Sequence, residues 1–399
     1  MTSQTGLNTL RSGGTKNVAV LVNQAWVAWK FRSRLMLHLR SVGYRVVLLT
    51  DFSAGRHALE EVCDELVHVP MAATRIAPLE DLRTFRQYQR EFRRLQPLAV
   101  LSFTIKPNIY GALAAHRTDV PVIANVTGLG SIKGRGGLVG SVVKLLYRWA
   151  LRKDSWVYFQ NSQDAAEMRA MGVVPEGRWS VLPGSGVDID HYRPAMRSTE
   201  SRPMRFCMLA RLLRDKGVVE FAEAARQVKE ARPHVDFELW GILDKNDFRC
   251  VTSDEILAWE TEGLLSFRGE ARDALQAFSA ADAVVLPSYY PEGLPRTLLE
   301  AGAMGLPSIT TDTPGCRDAV VDGVTGLLCA PRDVGSLAKA MLKVADMSTE
   351  ERANMGSAAR ERVLSHFDEK LVLHAYSQKL VEAAGLPISL GERSARGAL

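Results

Sequence analysis

The chain has 399 residues, 46% hydrophobic and 24% charged, with a formal net charge of +5, enough apolar material for two domains of ordinary size. It carries no low-complexity run, no long repeat and nothing near the roughly 18 continuous apolar residues of a spanning helix, so fibrous, repeat and transmembrane-helical classes are set aside. Five cysteines, Cys63, Cys207, Cys250, Cys316 and Cys329, are odd in number and lack a C-x-x-C pair, which argues for a reducing compartment and against zinc or a disulfide framework.

Residues 1–16 are polar and contain Gly and Ser, without the apolar segment of a signal peptide; a flexible N-terminus and a cytoplasmic chain are expected. Short apolar or β-branched runs follow at 18–22, 45–50, 98–101, 120–123 and 157–159, suited to buried parallel strands. Helical patterns at 31–42, 79–95 and 107–116 separate them. A connector rich in Pro and Arg, 191–203, breaks the alternation and links two domains. Beyond it the pattern resumes, with strands at 205–209, 237–239, 283–286 and 308–310 and a short last one at Leu327 and Leu328. Strands followed by helices with right-handed crossovers predict an α/β chain of two doubly wound, Rossmann-like domains, 17–190 and 204–365. A helix at 366–385 and a tail at 386–399 complete the chain. In such sheets ligands bind beyond the carboxyl ends of the strands, so the cleft between the domains is the expected site.

Charge is uneven. Through Asp190 there are 24 Lys and Arg against 15 Asp and Glu; the remainder has 26 against 30. Within the basic half, 131–153 carries Lys133, Arg135, Lys144, Arg148, Arg152 and Lys153 with no acid, interleaved with apolar residues that include Tyr147 and Trp149. A basic amphipathic helix with Trp and Tyr reads as a membrane-interface element, with Lys144, Arg148, Trp149 and Arg152 as its contacts with an anionic surface. A packed internal helix with snorkelling basic ends is the plain alternative. Nucleic acid is not an expected partner, since the aromatic residues do not form a stacking platform and no nucleic-acid motif is present.

The most informative stretch is Tyr290-Pro-Glu-Gly-Leu-Pro-Arg-Thr-Leu-Leu-Glu300. Pro295 suits a first helical position, which would leave Gly293 and Leu294 just before the helix with backbone donors for a diphosphate. Glu292 would sit in the loop, and Glu300 roughly 7 to 8 Å along the helix axis, about the span from a diphosphate to its ribose. A carboxylate accepting from two vicinal hydroxyls is a good ribose clamp. An amphipathic helix with two solvated acids is the plain alternative.

Two further motifs precede it, Val181-Leu-Pro-Gly-Ser-Gly-Val-Asp188 and Arg211-Leu-Leu-Arg-Asp-Lys-Gly217. In this order the three resemble the retaining glycosyltransferases of family 4, whose two-domain fold is GT-B; the resemblance covers about residues 17–385. It implies that Arg211 and Lys216 neutralise the donor diphosphate, that Glu300 holds the ribose, that Glu292 faces the transferred sugar and that the helix 366–385 crosses back to the first domain. Glycosyl transfer expels a nucleotide diphosphate, and fixed cations aimed at its developing charge favour the same roles for the basic pair without a metal. The backbone near 267–270 is expected to select the base, with Arg268 among the donor-binding residues.

Ser102-Phe-Thr-Ile-Lys-Pro-Asn-Ile-Tyr-Gly111 and Asn125-Val-Thr-Gly-Leu-Gly130 look like segments of bacterial enzymes that add N-acetylgalactosamine or a related sugar to a polyprenyl-diphosphate-linked sugar. Thr104, Lys106 and Asn108 lie just past a predicted strand, where polar side chains should reach the cleft, and Lys106 could meet an acceptor phosphate. Asn125 and Thr127 are read as acceptor-side residues or as turn formers. Many family members have a glycine pair after the first strand and a His after a later one; here Asn23-Gln-Ala-Trp26 and Asn125-Val-Thr127 stand instead, leaving no obvious side-chain base.

Asp188 and Asp190 look like a metal pair but have no hard-ligand cluster nearby, the eight histidines lack ligand spacing, and Gly134-Arg-Gly-Gly137 lacks the ending and preceding strand of a phosphate loop. No metal and no cofactor are expected, the UDP-sugar being a substrate. The expectation is a metal-independent retaining transferase moving an N-acetylhexosamine, N-acetylgalactosamine by resemblance, from a UDP-sugar to a lipid-linked saccharide at the inner face of a bacterial plasma membrane. A soluble-acceptor transferase, a UDP-N-acetylhexosamine 2-epimerase and a silent membrane scaffold are the alternatives.

Overall fold

The computed structural model describes residues 16–72, 77–129, 137–151, 155–194, 202–244 and 247–384. The chain divides into two units: 1–127 with 131–185 and 370–399 form the first, and 128–130 with 186–369 the second.

The first unit is built on seven parallel strands: β1 (Asn17–Leu21), β2 (Arg45–Thr50), β3 (Glu65–His68), β4 (Ala99–Phe103), β5 (Val122–Val126), β6 (Ser155–Phe159) and β7 (Trp179–Val181). Their order is β3-β2-β1-β4-β5-β6-β7. The inner strands β4 and β5 are buried along their whole length, and so read as continuous apolar runs. Helices α1 (Ala25–Ser41), α2 (Pro78–Leu95), α3 (Ala112–His116), α4 (Gly137–Ala150) and α5 (Ser162–Ala170) cover the sheet, and a π-helical stretch, Pro107–Gly111, leads into α3. The expected helix at 31–42 thus begins six residues earlier, and that at 107–116 is only α-helical in its second half.

The second unit has six parallel strands: β8 (Arg205–Leu209), β9 (Asp236–Trp240), β10 (Ser266–Gly269), β11 (Ala283–Leu286), β12 (Ser308–Thr311) and β13 (Gly326–Cys329). They are ordered β10-β9-β8-β11-β12-β13. Its helices are α6 (Val218–Ala231), α7 (Ser253–Thr261), α8 (Ala274–Phe278), α9 (Arg296–Ala303), α10 (Cys316–Ala319), α11 (Val334–Ala345) and α12 (Thr349–His366). Its core joins β-strand residues such as Phe206, Phe237, Val285 and Ile309 to helix residues such as Phe221, Leu299 and Met341.

The last helix, α13 (Glu369–Ala383), returns to the first unit. Val372, Tyr376 and Leu380, at i, i+4 and i+8, enter that unit's core, and the Tyr376 ring lies 5.9 Å from Phe103 and 5.1 Å from Tyr158. All five cysteines are buried free thiols. Among the described residues no helix is long and apolar enough to cross a membrane.

Candidate functional site

Three loops of the second unit converge where the adjacent strands β8, β11 and β12 end. The first, 210–217, contains a 3-10 turn at Arg214–Lys216 and closes on Gly217, whose φ of 81° starts α6. A Cβ at Gly217 would collide with the backbone of Pro287, so glycine is what lets this loop lie on the end of β11. The second, 287–295, leads from β11 into α9. The two are stitched together by the Asp215 carbonyl, which accepts the N–H groups of both Tyr289 and Tyr290 at 2.9 Å.

Their side chains meet as well. Lys216 Nζ pairs with Glu292 Oε1, which also accepts the Ser288 hydroxyl at 3.1 Å, and the same ammonium lies 5.0 Å from the centre of the Tyr290 ring. Both members of the ion pair are largely shielded from water, with 13% of each side chain exposed. The third loop follows β12: Thr311 and Thr313 donate hydroxyls to the Ser288 carbonyl, and Gly315, at φ 79°, sits against the carbonyls of Glu292 and Gly293 where a Cβ would have no room. Beneath it Cys316 is inert as a nucleophile, its thiol pushed up by burial first and then by the Glu292 charge.

Asp215, beside Lys216, is a half-buried carboxylate. Burial raises it above the ordinary carboxylate range against the pull of Lys216, Arg249 and Arg211, and Glu292 adds to the rise. One of its oxygens is buried without a hydrogen-bond partner among the described residues. Arg211 is exposed at the exit of β8, with its charge reaching Asp215 and Asp247.

Pro295 caps α9 instead of opening it: its ψ of 110° is extended, and the first helical residue is Arg296. Glu300 is therefore the fifth residue of the helix, 6% exposed, with Arg296 Nε 2.8 Å from its Oε1. It also accepts a hydrogen bond from the hydroxyl of Tyr192, whose phenol is raised by burial and then by the Glu300 charge. Arg360 fixes Tyr192 in place by donating to its carbonyl at 2.7 Å and to the carbonyls of Ala303 and Ile189. Gly293 and the buried Leu294 precede the cap. Arg268 stands apart from this group, on the edge strand β10, with its guanidinium 3.0 Å from Glu238 of β9.

The proposed acceptor residues lie in the first unit, and two of them face inward. Asn108 is 1% exposed; its carbonyl oxygen accepts the Ser102 hydroxyl at 2.8 Å and its amide donates to the Asn125 carbonyl at 2.8 Å. Asn125 is fully buried and donates to the Tyr376 hydroxyl at 2.8 Å. Asn108, expected to reach the cleft, is turned inward, and Asn125, read as an acceptor-side residue or a turn former, lies buried within β5: a buried amide needs partners for both ends, and β4, β5 and α13 supply them. Lys106 is held 2.5 Å from Asp81 of α2, with only 13% of its side chain exposed. Thr104, at φ 69°, and Thr127 are half-buried at the ends of β4 and β5.

On α4, Tyr147 and Ala150 turn inward, while Lys144 and Arg148 are exposed together with Val142, Leu145 and Trp149. The helix is therefore not wholly internal. Arg152, like Lys133, Arg135 and Lys153, lies outside the described residues.

Two doubly wound parallel sheets, the second with carboxylates and cations gathered at its strand ends, give the architecture called GT-B. The chain matches a glycosyl transferase 4-like domain over residues 28–184 and the glycosyl transferases group 1 over residues 195–362, and it belongs to that family. It is 25% identical, over 87% of this chain and 94% of the other, to the N,N'-diacetylbacillosaminyl-diphospho-undecaprenol alpha-1,3-N-acetylgalactosaminyltransferase of Campylobacter jejuni. It is 26% identical, over 70% and 74%, to the UDP-Gal:alpha-D-GlcNAc-diphosphoundecaprenol alpha-1,3-galactosyltransferase of Escherichia coli. Its fold matches that of Anabaena HepE, solved in complex with UDP and glucose, with a TM-score of 0.77 at 17% identity, covering 92% of this chain and 100% of the other.

Arg296, Ser288, Tyr290, Asp215 and Tyr192 are site residues that sequence reasoning passed over. The first three lie in or beside the acidic motif and Asp215 within the basic one, so all four were legible by position; Tyr192 sits in a connector that carries no signal of its own.

Proposed function

We propose that this glycosyltransferase moves an N-acetylhexosamine, N-acetylgalactosamine in the first instance, from a UDP-sugar to a polyprenyl-diphosphate-linked saccharide, with retention and without a metal. The observation that carries the reading is the segment 292–300, with Glu292 paired to Lys216 in the loop before α9 and Glu300 held by Arg296 within that helix. The two relatives that act on undecaprenol-diphosphate-linked sugars support the acceptor class.

In this reading Glu300 accepts hydrogen bonds from the ribose hydroxyls, and the backbone of Gly293 and Leu294 meets the diphosphate. Lys216 exchanges its contact with Glu292 for the incoming diphosphate, which Arg211 also neutralises, and Glu292 is freed to orient the sugar hydroxyls. The bond from the anomeric carbon to the diphosphate oxygen breaks, the acceptor oxygen bonds the same face of that carbon, and the acceptor proton passes to the departing phosphate oxygen. Cations fixed beside the leaving group stabilise its developing charge, which is the role a metal has in other transferases. Arg268 contributes to the base end of the donor site, and Thr104, Lys106 and Thr127 to the acceptor side. The exposed face of α4 brings the first unit to the anionic inner leaflet of the membrane, where the lipid-linked acceptor resides.

The test is release of UDP from a panel of UDP-sugars, with and without polyprenyl-diphosphate-linked monosaccharides in detergent. Acceptor-dependent release with one UDP-N-acetylhexosamine is expected. Interconversion of UDP-N-acetylhexosamines without acceptor would make the protein a 2-epimerase, and release only with a soluble saccharide would remove the lipid from the reading.

A further inference from the structure

A second helix of the first unit exposes a surface that catalysis does not use. Helix α2 buries Asp81, Thr84, Tyr88, Phe92 and Leu95 on one side. On the other, Leu79 is 75% and Leu82 is 43% exposed, and Arg83, Arg86, Arg90 and Arg93 all lie in solvent. Positions 79, 83, 86, 90 and 93 recur at steps of four and three, so they form one line, about 20 Å long at the rise of an α-helix.

The helix does not need this line for its own stability. Among the described residues Arg83, Arg86 and Arg93 make no ion pair, and Arg90 keeps 80% of its side chain exposed beside Glu91. Of the acids on the helix, Asp81 holds Lys106 and Glu91 bridges Arg90 and Arg94, so that among the described residues no ion pair reaches Arg83, Arg86 or Arg93. A helix C-terminus favours cations, but that effect is confined to the last turn and leaves Arg83 and Arg86 unexplained. Four arginines along one exposed face repel each other unless an anionic surface meets them.

The neighbouring α4 presents the same combination. Both helices pack against the 107–116 segment, and α4 exposes Val142, Leu145 and Trp149 beside Lys144 and Arg148.

We propose that α2 is a second membrane-docking element of this protein, its arginine row binding the headgroup phosphates of an anionic leaflet while Leu79 and Leu82 enter the apolar edge. Guanidinium groups bind phosphate oxygens in pairs, which suits headgroups better than point charges would. The leucines decide for lipid over a soluble polyanion, since two large apolar side chains in water at the head of the row match a partner with an apolar layer. The inference rests on the membrane part of the function proposed above.

The experiment is co-sedimentation of the full-length protein with phosphatidylcholine vesicles, with and without phosphatidylglycerol. The variants are R83Q/R86Q/R93Q, L79S/L82S and, on α4, K144Q/R148Q, each checked for a native circular dichroism spectrum. The triple arginine variant should lose about 100-fold in partition to anionic vesicles, at one residue's worth of surface attraction each, and the leucine pair should weaken binding that survives high salt. Turnover of a detergent-dispersed acceptor should be unchanged in both. Wild-type partition by the triple variant, with K144Q/R148Q released, would overturn the role of α2 and leave the membrane reading standing. Loss with the arginine variant but not the leucine pair, together with full release by soluble polyphosphate, would overturn lipid as the partner. Failure of the wild-type protein to bind anionic vesicles would remove both the inference and the membrane reading.

Discussion

Arg296 and Glu300 lie one helical turn apart on α9, with Nε 2.8 Å from Oε1 and both side chains largely buried. With Tyr192 on its other side, the Glu300 carboxylate is held in one orientation before any ligand arrives. If that orientation serves the ribose, Glu300→Gln should weaken UDP binding by about 10- to 100-fold, the range for hydrogen bonds to a charged group, and abolish any preference for UDP over 2′-deoxy-UDP. Arg296→Gln should reproduce the lost preference in part. Titration calorimetry with the two nucleotides decides it; an unchanged preference in Glu300→Gln would remove the clamp.

Lys216 is expected to act mainly in the transition state. Replacing it with Ala should lower kcat by two to three decades, about 3 to 4 kcal/mol, with a smaller change in KM for the donor. Near-normal turnover would show that its contact with Glu292 is structural only.

Asp215 gives a prediction with a defined sign. Its carboxyl is raised in the folded protein, so folding favours the protonated acid and bears a cost that is present at neutral pH and absent below the ordinary carboxylate value. Asp215→Asn should therefore raise the melting temperature at pH 7, and the gain should shrink as the pH falls toward and below the ordinary aspartate range. A melting temperature lowered at pH 7 would mean that attraction to Lys216, Arg249 and Arg211 outweighs burial.

Asn125 should behave as a structural residue. Asn125→Leu removes the partner of the buried Tyr376 hydroxyl and should cost about 1 to 3 kcal/mol of stability in the first unit, read as a lower urea midpoint. UDP binding, which the proposed function assigns to the second unit, should be unchanged.

The strands that sequence reading found and those it missed differ in one physical respect. Inner strands such as β4, β5 and β11 are buried on both faces and announce themselves as apolar runs. The three unmarked strands, β3, β7 and β10, are all sheet edges with half-buried, polar-containing sequences. Nothing local distinguishes them from loop; they become strands because a neighbour offers a ladder.

The same division runs through the site. The acidic motif 290–300 and the basic motif 211–217 are each contiguous, so residue types and spacing alone singled out Glu292, Glu300, Arg211 and Lys216. A proline read as the first helical residue proved to be the cap, since a fixed φ is compatible with both and only ψ separates them.

By itself, then, the sequence determined the alternation of elements, the two-domain α/β class and the residue types gathered in the loops 211–217 and 290–300, because periodicity and motif spacing act over one or two turns of chain. The tertiary structure alone decided that Asn108 and Asn125 turn inward, that Lys106 is engaged by Asp81, and that Tyr192 and Arg296 hold Glu300 from two sides. Burial and hydrogen-bond satisfaction are properties of partners brought together from distant segments, and a buried polar group takes whichever orientation those partners satisfy.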